Sequence, residues 1–454
     1  MTLGSQFISP RGFRSMHCSR WFGSTLAGVV AATLVAGCAP AAPAPAPTTA
    51  PTAAPKPTTA PVAASPAAAA SPAVSPAASP AASPVAKPAA SPSAVAAASV
   101  VPSPSAVAGA APAAAASLKG VCPDNIVFQT NWWPEPDHGF LYQLIGPNGT
   151  IDTNKNTYSG PLGTTGVNVE IRAGGPAIGF QLVTAQMYQD DSILLGMMGT
   201  DEQIGASANQ PTRAVFAWYE KNPQIFFWGN PEWNFTSVAD IGKSGATVLV
   251  FSGAPYVDVL EGKGLLNKSQ VDSSYTGDPA RFVAADGNLV SQGFVTAEPY
   301  IYEHEVQGWM KPVKFLLLDR EVPIYQDTMV IRADKLEANR ACLQQLVPMM
   351  QRAAVDYIRN PGPINNVFVD YTARIKGGTQ ISAAGAADAV EKMRSLGIVS
   401  NGTDGVYGSY DTSRVQSLIA DYGPVFAAAG KTPKANLQPS DIFTNEFLDK
   451  NVKL

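Results

Sequence analysis

Two tryptophans and several polar residues directly follow a predicted buried strand, residues 125–130. Trp132 and Trp133 carry large flat rings that could stack on a planar ligand and exclude water from it. Adjacent residues of an extended segment point to opposite sides, so at least one ring is expected at the ligand, and the sequence does not decide which. Three polar side chains follow and could hydrogen-bond N–H or hydroxyl groups of such a ligand: Glu135, Asp137 and His138.

Two further segments place polar groups where helices begin or strands end. Asp201 and Gln203 lie at a predicted helix start, where acidic residues interact favourably with the helix dipole whether or not a ligand is present. Glu298 and Tyr300 occupy a short loop after a predicted strand. A carboxylate and a phenol on such a loop could cap a ligand.

Pro255 marks the start of a predicted helix over residues 255–265. The residues around it would offer unpaired backbone N–H groups and the positive end of the helix dipole to an acceptor atom: Ser252, Gly253, Ala254 and Tyr256. The alternative is a serine N-cap with proline in the first turn, which needs no ligand.

The first 37 residues have the composition of a bacterial lipoprotein signal. Three arginines precede an apolar stretch from Trp21 that is too short to span about 30 Å of hydrocarbon. Residues 35–38 (Val-Ala-Gly-Cys) offer small side chains at a cleavage point. Cleavage before Cys38 would leave a lipid-bearing thiol, which predicts an exported chain anchored to the outer face of the cell membrane. An ordinary secretory signal or an uncleaved anchor helix is the alternative.

Residues 38–117 are almost entirely Ala, Pro, Ser, Thr and Val. Prolines recurring every few residues favour extended, polyproline-like conformations and prevent a packed core. This composition predicts a disordered tether that holds a globular body, from about residue 118, away from the membrane.

Charge and cysteine content narrow the classes of function. The net charge of −4 would become −7 on loss of the three arginines in residues 1–37, which argues against nucleic acid or an anionic lipid surface as partner. Cys122 and Cys342 remain in the body. An even pair outside the cytoplasm favours a disulfide, although two separate buried thiols are equally compatible with the spacing. No Cys/His cluster has metal-ligand spacing, so neither a metal nor a cofactor is expected.

Short β-rich runs alternate with amphipathic segments through the body, a pattern typical of βαβ units around a mainly parallel sheet. The predicted fold is α/β with two lobes and a cleft between them. Lobe 1 is expected to comprise residues 118–228 and 320–454, and lobe 2 residues 229–319. Residues 323–331 would be the second crossing between the lobes, where Tyr325, Gln326 and Asp327 either contact a ligand or form the hinge.

Several short motifs occur in a characteristic order. Trp-Trp-Pro-Glu-Pro-Asp-His at 132–138 is followed by Gly-Thr-Asp-Glu-Gln at 199–203, Asp-Ile-Gly-Lys at 240–243 and Glu-Pro-Tyr at 298–300. In this order the motifs resemble the periplasmic binding proteins of ABC importers, in the branch that includes sulfonate, nitrate and thiamine-pyrimidine binders. The resemblance covers about residues 125–448 and implies the type II periplasmic binding protein fold. A longer loop at 146–158 departs from the family pattern.

The resemblance implies a non-catalytic function: the lobes close over a small molecule, and the closed, monomeric protein delivers it to a membrane permease. Aromatic residues together with carboxylates favour a neutral or cationic planar heterocycle, such as a thiamine-type pyrimidine or a flavin. Sulfonate, taurine or nitrate is the alternative, and such an anion would need an arginine or many N–H donors. The arginines near the predicted binding loops are Arg172, Arg213 and Arg281.

Two other classes of function are compatible with the same scaffold. Pyrimidine-precursor synthases share the implied fold but carry a cysteine-rich segment that is absent here. Asp201 and Glu298 could form an acid/base pair, although their spacing does not require one. A surface sensor or adhesin that works without an importer is the second alternative.

Overall fold

The computed structural model describes residues 117–376 and 380–454. The predicted signal sequence, the lipidation site Cys38 and the tether up to residue 116 lie outside these residues. The described residues form two mixed β-sheets flanked by helices. No helix among them is long and apolar enough to cross a membrane.

The strands of the described residues are short, and most are largely buried. They are β1 (Asn125–Gln129), β2 (Thr150–Asp152), β3 (Thr157–Pro161), β4 (Asn168–Arg172), β5 (Ile193–Met198), β6 (Thr212–Ala217), β7 (Gln224–Trp228), β8 (Val248–Leu249), β9 (Val271–Asp272), β10 (Val290–Phe294), β11 (Lys314–Leu317) and β12 (Thr328–Arg332).

The helices pack on both sheets, and the longest lie in the C-terminal third. They are α1 (Gly139–Ile145), α2 (Val183–Gln189), α3 (Thr200–Ala206), α4 (Val238–Ser244), α5 (Pro255–Gly262), α6 (Ala280–Ala284), α7 (Glu298–His304), α8 (Arg340–Arg359), α9 (Gly362–Arg374), α10 (Ala383–Ser395), α11 (Thr412–Ala428) and α12 (Pro439–Ile442).

The first sheet has the strand order β2-β3-β4-β1-β5-β12-β6. Its centre is parallel, because β1 pairs in parallel with both β4 and β5. All six residues of β5 are buried, as expected of a strand covered on both faces. Antiparallel strands complete both edges, so the sheet is mixed rather than mainly parallel.

The second sheet has the order β11-β7-β10-β8-β9. Strands β10, β8 and β9 are parallel, and β7 pairs antiparallel with β10 and β11. Residues 224–228 were predicted in lobe 1, but strand β7 pairs within the second sheet. An apolar run such as Gln224–Trp228 indicates a buried strand but does not specify which sheet it joins. Lobe 2 therefore begins with β7.

Two segments cross between the sheets. Residues 218–223 connect β6 of the first sheet to β7 of the second, and residues 318–327 lead back from β11 to β12. The predicted two-lobed α/β fold is confirmed, with a return crossing close to the predicted residues 323–331. The β2–β3 hairpin and α9 were not among the predicted elements.

Helix α8 anchors the C-terminal part of lobe 1. It buries Leu343, Leu346 and Met350 on one face, as its apolar periodicity predicts. The α1 helix packs closely on it at Gly139, where a Cβ atom would lie 2.1 Å from the Tyr357 ring. Cys122 and Cys342 form a disulfide that attaches the N-terminal segment to the start of α8.

Candidate functional site

A small cavity lies in the cleft between the two sheets, at the carboxyl ends of the parallel strands. Segments after β1, β4 and β5 reach it from the first sheet, and segments after β8, β9 and β10 reach it from the second. The carboxyl ends of parallel strands share one edge of a sheet, where ligands bind in open α/β folds. The cavity has a volume of about 130 Å³.

The cavity walls combine carboxylates, side-chain amides and aromatic rings. The carboxylates are Glu135, Asp201, Glu202 and Glu298. The amides are Asn131, Gln181, Gln224, Gln292 and Gln326. The rings are Trp132, Phe180, Phe251, Tyr256, Tyr275 and Phe294. Among the described residues, no lysine, arginine or histidine lines the cavity. The site therefore has an excess of negative charge.

Glu298 begins helix α7 and receives hydrogen bonds from two neutral donors. The backbone N–H of Phe294 donates to Oε2 at 2.6 Å, and the Tyr275 hydroxyl donates to Oε1 at 3.2 Å. Burial raises the pKa of the Glu298 carboxyl to about 7. Near neutral pH this carboxyl therefore changes its charge readily.

Helix α3 brings two more carboxylates to the cavity. Burial raises the pKa of Asp201 to about 6 and that of Glu202 to about 7. The backbone N–H of Thr184 donates to Glu202 Oε1 at 2.8 Å.

Gln203 lies outside the cavity, contrary to the prediction. Its amide donates to the Ile442 carbonyl at 3.0 Å and to the Thr212 hydroxyl at 3.3 Å. Positions two apart on a helix lie about 200° around its axis, so Asp201 and Gln203 face different sides of α3. Gln203 instead attaches α3 to the C-terminal segment.

Asp137 is fully buried and joins the two lobes. Its Oδ1 accepts hydrogen bonds from the Tyr219 hydroxyl at 2.5 Å and from the Thr296 hydroxyl at 2.8 Å. Tyr219 lies on the first crossing segment, whereas Thr296 follows β10 in lobe 2. Burial raises the pKa of Asp137 to about 6. Its Oδ2 has no hydrogen-bond partner among the described residues.

His138 belongs to a buried network behind the cavity wall. Asn131 Nδ2 donates to Asp327 Oδ1 at 2.7 Å, which leaves the Asn131 oxygen to accept from His138 Nε2 at 3.2 Å. Burial lowers the pKa of His138 to about 3, so its ring is neutral. Burial and the neighbouring Asp137 raise the pKa of Asp327 to about 8.

Glu135 lines the cavity beside this network. Burial raises the pKa of its carboxyl, and the carboxylates of Asp137, Glu298 and Asp327 add to the rise. His138 Nε2 lies 3.9 Å from Glu135 Oε1, but the neutral imidazole supplies no compensating charge.

Trp132 is the tryptophan that reaches the cavity. Its ring stacks on Tyr275 across the cleft, with centroids 6.2 Å apart and planes inclined by 16°. The Phe180 ring lies 5.9 Å from it. Trp133 does not line the cavity and instead faces a larger groove outside it. Trp132 and Tyr275 therefore supply an aromatic wall from each lobe.

The larger groove adjoins the cavity and has a volume of about 1250 Å³. It shares Trp132, Glu135, Tyr275 and Glu298 with the cavity. Tyr300, predicted to contact the ligand, lines this groove and not the cavity. The groove is an open approach along which a ligand larger than the cavity could extend.

The start of α5 contributes less than predicted. Ser252 and Gly253 are exposed and do not line the cavity, and Ala254 is a buried N-cap without a side-chain cap. Tyr256 does line it, and its hydroxyl donates to Gln292 Oε1 at 3.0 Å. The Phe251 backbone N–H donates to the same oxygen at 2.9 Å.

Tyr325 lies on the second crossing segment and faces away from the cavity. Its hydroxyl accepts from the backbone N–H of Asp411 at 2.8 Å, and the Arg414 guanidinium lies 3.8 Å from its ring centre. The next residue, Gln326, does line the cavity. Because adjacent residues of an extended segment point to opposite sides, Tyr325 serves the hinge.

Several lining residues were not predicted, and the signals for them are weak. Phe180 follows a 3-10 turn, and Tyr275 follows the two-residue strand β9. Gln292 lies within β10, and its side-chain oxygen accepts from the Phe251 backbone and the Tyr256 hydroxyl. Asn131 immediately precedes the predicted tryptophans, and its position at a strand end could have identified it.

Two of the three arginines near the predicted loops form ion pairs elsewhere. Arg172 pairs with Glu170 and Asp190, each at 2.7 Å, and Arg281 pairs with Asp272. None of the three arginines considered for an anion lines the cavity. Within the described part of the chain, no group of three or more His, Cys, Asp or Glu side chains could hold a metal ion.

No family model matches the chain, and no curated protein matches it. Solved structures resemble its fold at low identity. The periplasmic aliphatic sulphonate binding protein SsuA from Escherichia coli is 14% identical, with a TM-score of 0.45, covering 70% of this chain and 96% of that one. The alkanesulfonate-binding protein SsuA from Xanthomonas axonopodis pv. citri, bound to MOPS, is 11% identical, with a TM-score of 0.44, covering 71% and 99%.

A desulfurization enzyme, DSZB, also resembles the chain, at 12% identity and a TM-score of 0.39, covering 71% of this chain and 97% of that one. The matched proteins thus include the sulfonate-binding proteins that the sequence motifs resemble. At such low sequence identity these proteins identify no ligand for this chain.

Proposed function

We propose that the chain is an extracytoplasmic solute-binding protein that captures a small organic molecule between its lobes and delivers it to an ABC importer. The observation that carries this proposal is the cavity itself, which is lined from both sheets at the carboxyl ends of their parallel strands. A ligand there contacts both lobes at once, so it stabilises the closed arrangement. Differential affinity for the closed state is what drives closure.

Two contacts between the lobes support a closing motion about the crossing segments. Asp137 of lobe 1 accepts a hydrogen bond from Thr296 of lobe 2, and Trp132 stacks on Tyr275. Both contacts link the lobes beside the cavity, where they would separate on opening. Residues 218–223 and 318–327 are the connections about which the lobes would rotate.

The ligand we propose is a planar heterocycle with one ring, such as a thiamine-type pyrimidine. An engineered cavity of about 150 Å³ accommodates benzene, so the volume of about 130 Å³ suits one ring. A flavin has three fused rings and would have to extend into the adjoining groove. Trp132, Phe180 and Tyr275 offer flat surfaces for stacking.

A sulfonate, taurine or nitrate ligand fits this cavity less well. Such an anion would lie beside Glu135 and Glu298 with no lysine or arginine among the described lining residues. Like charges in a buried site repel strongly, and raised carboxyl pKa values indicate that the site already resists further negative charge.

Catalysis is a second function with a specific observation behind it. Asp201 and Glu298 line one cavity with pKa values raised to about 6 and about 7, which suits general acid/base chemistry. The groove does contain one hydroxyl held by a carboxylate, because Ser382 Oγ donates to Glu305 Oε1 at 2.5 Å. We place catalysis behind ligand capture because this serine caps helix α10, where it accepts from the backbone N–H of Gly385 at 2.9 Å. A sensor without an importer would share the same ligand cavity.

A thermal-shift screen of the full chain, purified in mild detergent, tests ligand capture. Pyrimidines, flavins, sulfonates, nitrate and amino acids are compared, and hits are followed by calorimetry and by mass spectrometry of the recovered ligand. We expect a one-ring heterocycle to raise the melting temperature by mass action and to be recovered unchanged. Conversion of a hit to product would favour the enzyme, and the absence of any hit would contradict the proposal.

We also propose that Cys38 carries the lipid and that the protein acts as a monomer beside its permease. Metabolic labelling with a fatty acid, compared between the chain and Cys38→Ala, measures the anchor directly. We expect the label, and retention in the membrane fraction, only when Cys38 is present. A labelled Cys38→Ala variant would overturn the lipidation site.

A further inference from the structure

We propose that the ligand of the cleft is a small organic cation: one planar ring bearing a positively charged group with N–H donors. This inference rests on the proposed function and deepens it by assigning the charge of the ligand. It draws on the composition of the cavity wall, on the partners of the carboxylates and on the aromatic surfaces.

The cavity wall carries negative charge without a matching positive charge. Four carboxylate residues line about 130 Å³, and no lysine, arginine or histidine of the described residues does. The adjoining groove adds Asp278 and Glu305, and His304 is the one basic side chain among its described lining residues. A charged ligand entering by this route meets one sign of charge throughout.

The hydrogen bonds of these carboxylates supply no positive charge. Lys431 acts on Asp201 and Glu202 from outside the cavity, and it is itself paired with Asp258 at 2.7 Å. Glu298 accepts from a backbone N–H and a phenol, and Glu202 accepts from a backbone N–H. Each donor is neutral. Buried charges are normally paired, because an unpaired ion in a poorly solvated site is costly. A cation between the lobes would supply the missing partner.

Two further carboxyl groups lie behind the wall and carry negative charge only when they are ionised. Asp137 and Asp327 are each 1% exposed, and each has one oxygen, Oδ2, with no partner among the described residues. Hydrogen bonds connect both residues to the cleft. Asp137 accepts from Thr296 of lobe 2, and Asp327 accepts from the amides of the lining residues Asn131 and Gln326. Neither residue lines the cavity or the groove, so both groups act on a bound cation only through their charge when they are ionised.

The aromatic residues fit the same ligand. Trp132 and Tyr275 meet across the cleft and Phe180 flanks them, so rings border the space that the carboxylates face. Aromatic faces attract cations, most strongly when water is excluded. An anionic ring would gain stacking but lose this attraction.

Three ring compounds that differ chiefly in charge test the assignment: benzamidinium, the neutral benzamide and the anionic benzenesulfonate. Each is titrated calorimetrically into the full chain at pH 8, where most lining carboxyls are ionised. We expect the Kd of benzamidinium to be at least tenfold lower than that of benzamide, with no measurable binding of benzenesulfonate. Equal or tighter binding of benzamide or benzenesulfonate would overturn the assignment.

Matched variants locate the charge that matters. Glu298→Gln should weaken benzamidinium binding at least tenfold and leave benzamide binding within threefold. Glu303→Gln, on the same helix but away from the cavity, removes an equal charge and should change neither affinity. An equal loss in both variants would mean that a general field, and not the cavity carboxylate, attracts the cation, and the proposed site would fail.

The outcome separates this inference from the proposed function. If benzamidinium does not bind while a neutral or anionic compound from the thermal-shift screen does, ligand capture stands and the cationic assignment fails. If nothing binds in either experiment, both fail.

Discussion

The hinge and the cleft handle buried charge in opposite ways. At the hinge, the Arg414 guanidinium donates to the carbonyls of Glu220, Pro323 and Ile324 at 2.7–2.9 Å and to the Glu220 carboxylate at 3.2 Å. In the cleft, Glu135, Glu298 and Asp327 have no cationic partner among the described residues. At the hinge, where the charged residues hold the structure together, each charge has a partner. These carboxylates of the cleft have none in the described part of the chain, which indicates that they bind a ligand.

The location of each group reinforces this contrast. Arg414 of α11 binds both crossing segments, because Glu220 belongs to the first and Pro323 and Ile324 to the second. Its charge therefore links the two crossing segments. The carboxylates line the cavity between the lobes, where the proposed ligand would offset the cost of burying them.

The largest expected effect breaks the hinge. Arg414→Ala removes four hydrogen bonds and leaves Glu220 without its partner, so it should destabilise the protein by roughly 2–3 kcal/mol. Urea unfolding measures this change. Arg352→Ala is the control, because its pair with Asp449 is exposed and should contribute less than about 1 kcal/mol. Equal losses would remove the contrast between hinge and surface.

The second effect concerns the aromatic wall. Trp132→Ala removes the ring that stacks on Tyr275 and should weaken binding of a one-ring ligand by about 2 kcal/mol, or roughly 30-fold. Trp133→Ala, which changes only the outer groove, should alter the Kd less than threefold. Calorimetry on both variants checks the assignment. A larger loss in Trp133→Ala would place the ligand in the groove.

A third effect appears in the pH dependence of stability. The pKa of Asp327 is raised to about 8 in the folded protein, so the folded state holds a proton that the unfolded chain has lost. The stability associated with that proton is present at low pH and is lost as pH rises toward 8, with a slope of about 1 kcal/mol per pH unit. His138, with its pKa lowered to about 3, stays neutral in both states above about pH 6.5.

Asp327→Asn isolates this contribution, because asparagine tolerates the left-handed backbone at φ 54° and its amide oxygen can still accept from Asn131. We expect the unliganded variant to gain stability over the parent chain progressively between pH 6.5 and 8. Thermal unfolding at three pH values measures the difference. If the difference in stability stays constant across that pH range, the pKa of Asp327 is not raised in the folded protein.

The smallest expected effect concerns the buried charge of Glu298 in the cavity wall. Glu298→Gln should stabilise the unliganded protein by about 1 kcal/mol at pH 8, because it removes a buried charge and retains an acceptor for the Phe294 N–H. The same variant should bind a cation less well. Loss of stability in Glu298→Gln would indicate that the carboxylate serves the fold.

The fold could be predicted further than the site. Continuous apolar runs such as β1 and β5 indicate buried strands, and their carboxyl ends locate the loops that reach the cleft. The run at β7 indicates a strand equally well, but its sheet is decided by distant pairing with β10 and β11. The residues of β7 alone do not specify which strands it pairs with.

Within the site, side-chain direction decides which of the predicted residues line the cavity. Asp201 lines the cavity and Gln203 does not, because two positions on a helix face different sides. Gln326 lines it and Tyr325 does not, for the corresponding reason in an extended segment. Tyr275 follows a strand of only two residues, which is too short to give a periodic signal.

Calorimetric titration of benzamidinium into the full chain at pH 7, in two buffers that differ in ionisation enthalpy, tests the central claim most directly. Glu298 is faced by Tyr275, Asp137 and Glu135, so a bound cation should lower the pKa values of these carboxyls together. The account predicts release of protons on binding. Binding without proton exchange, or with proton uptake, would contradict a cleft that holds unpaired carboxylates for a cation.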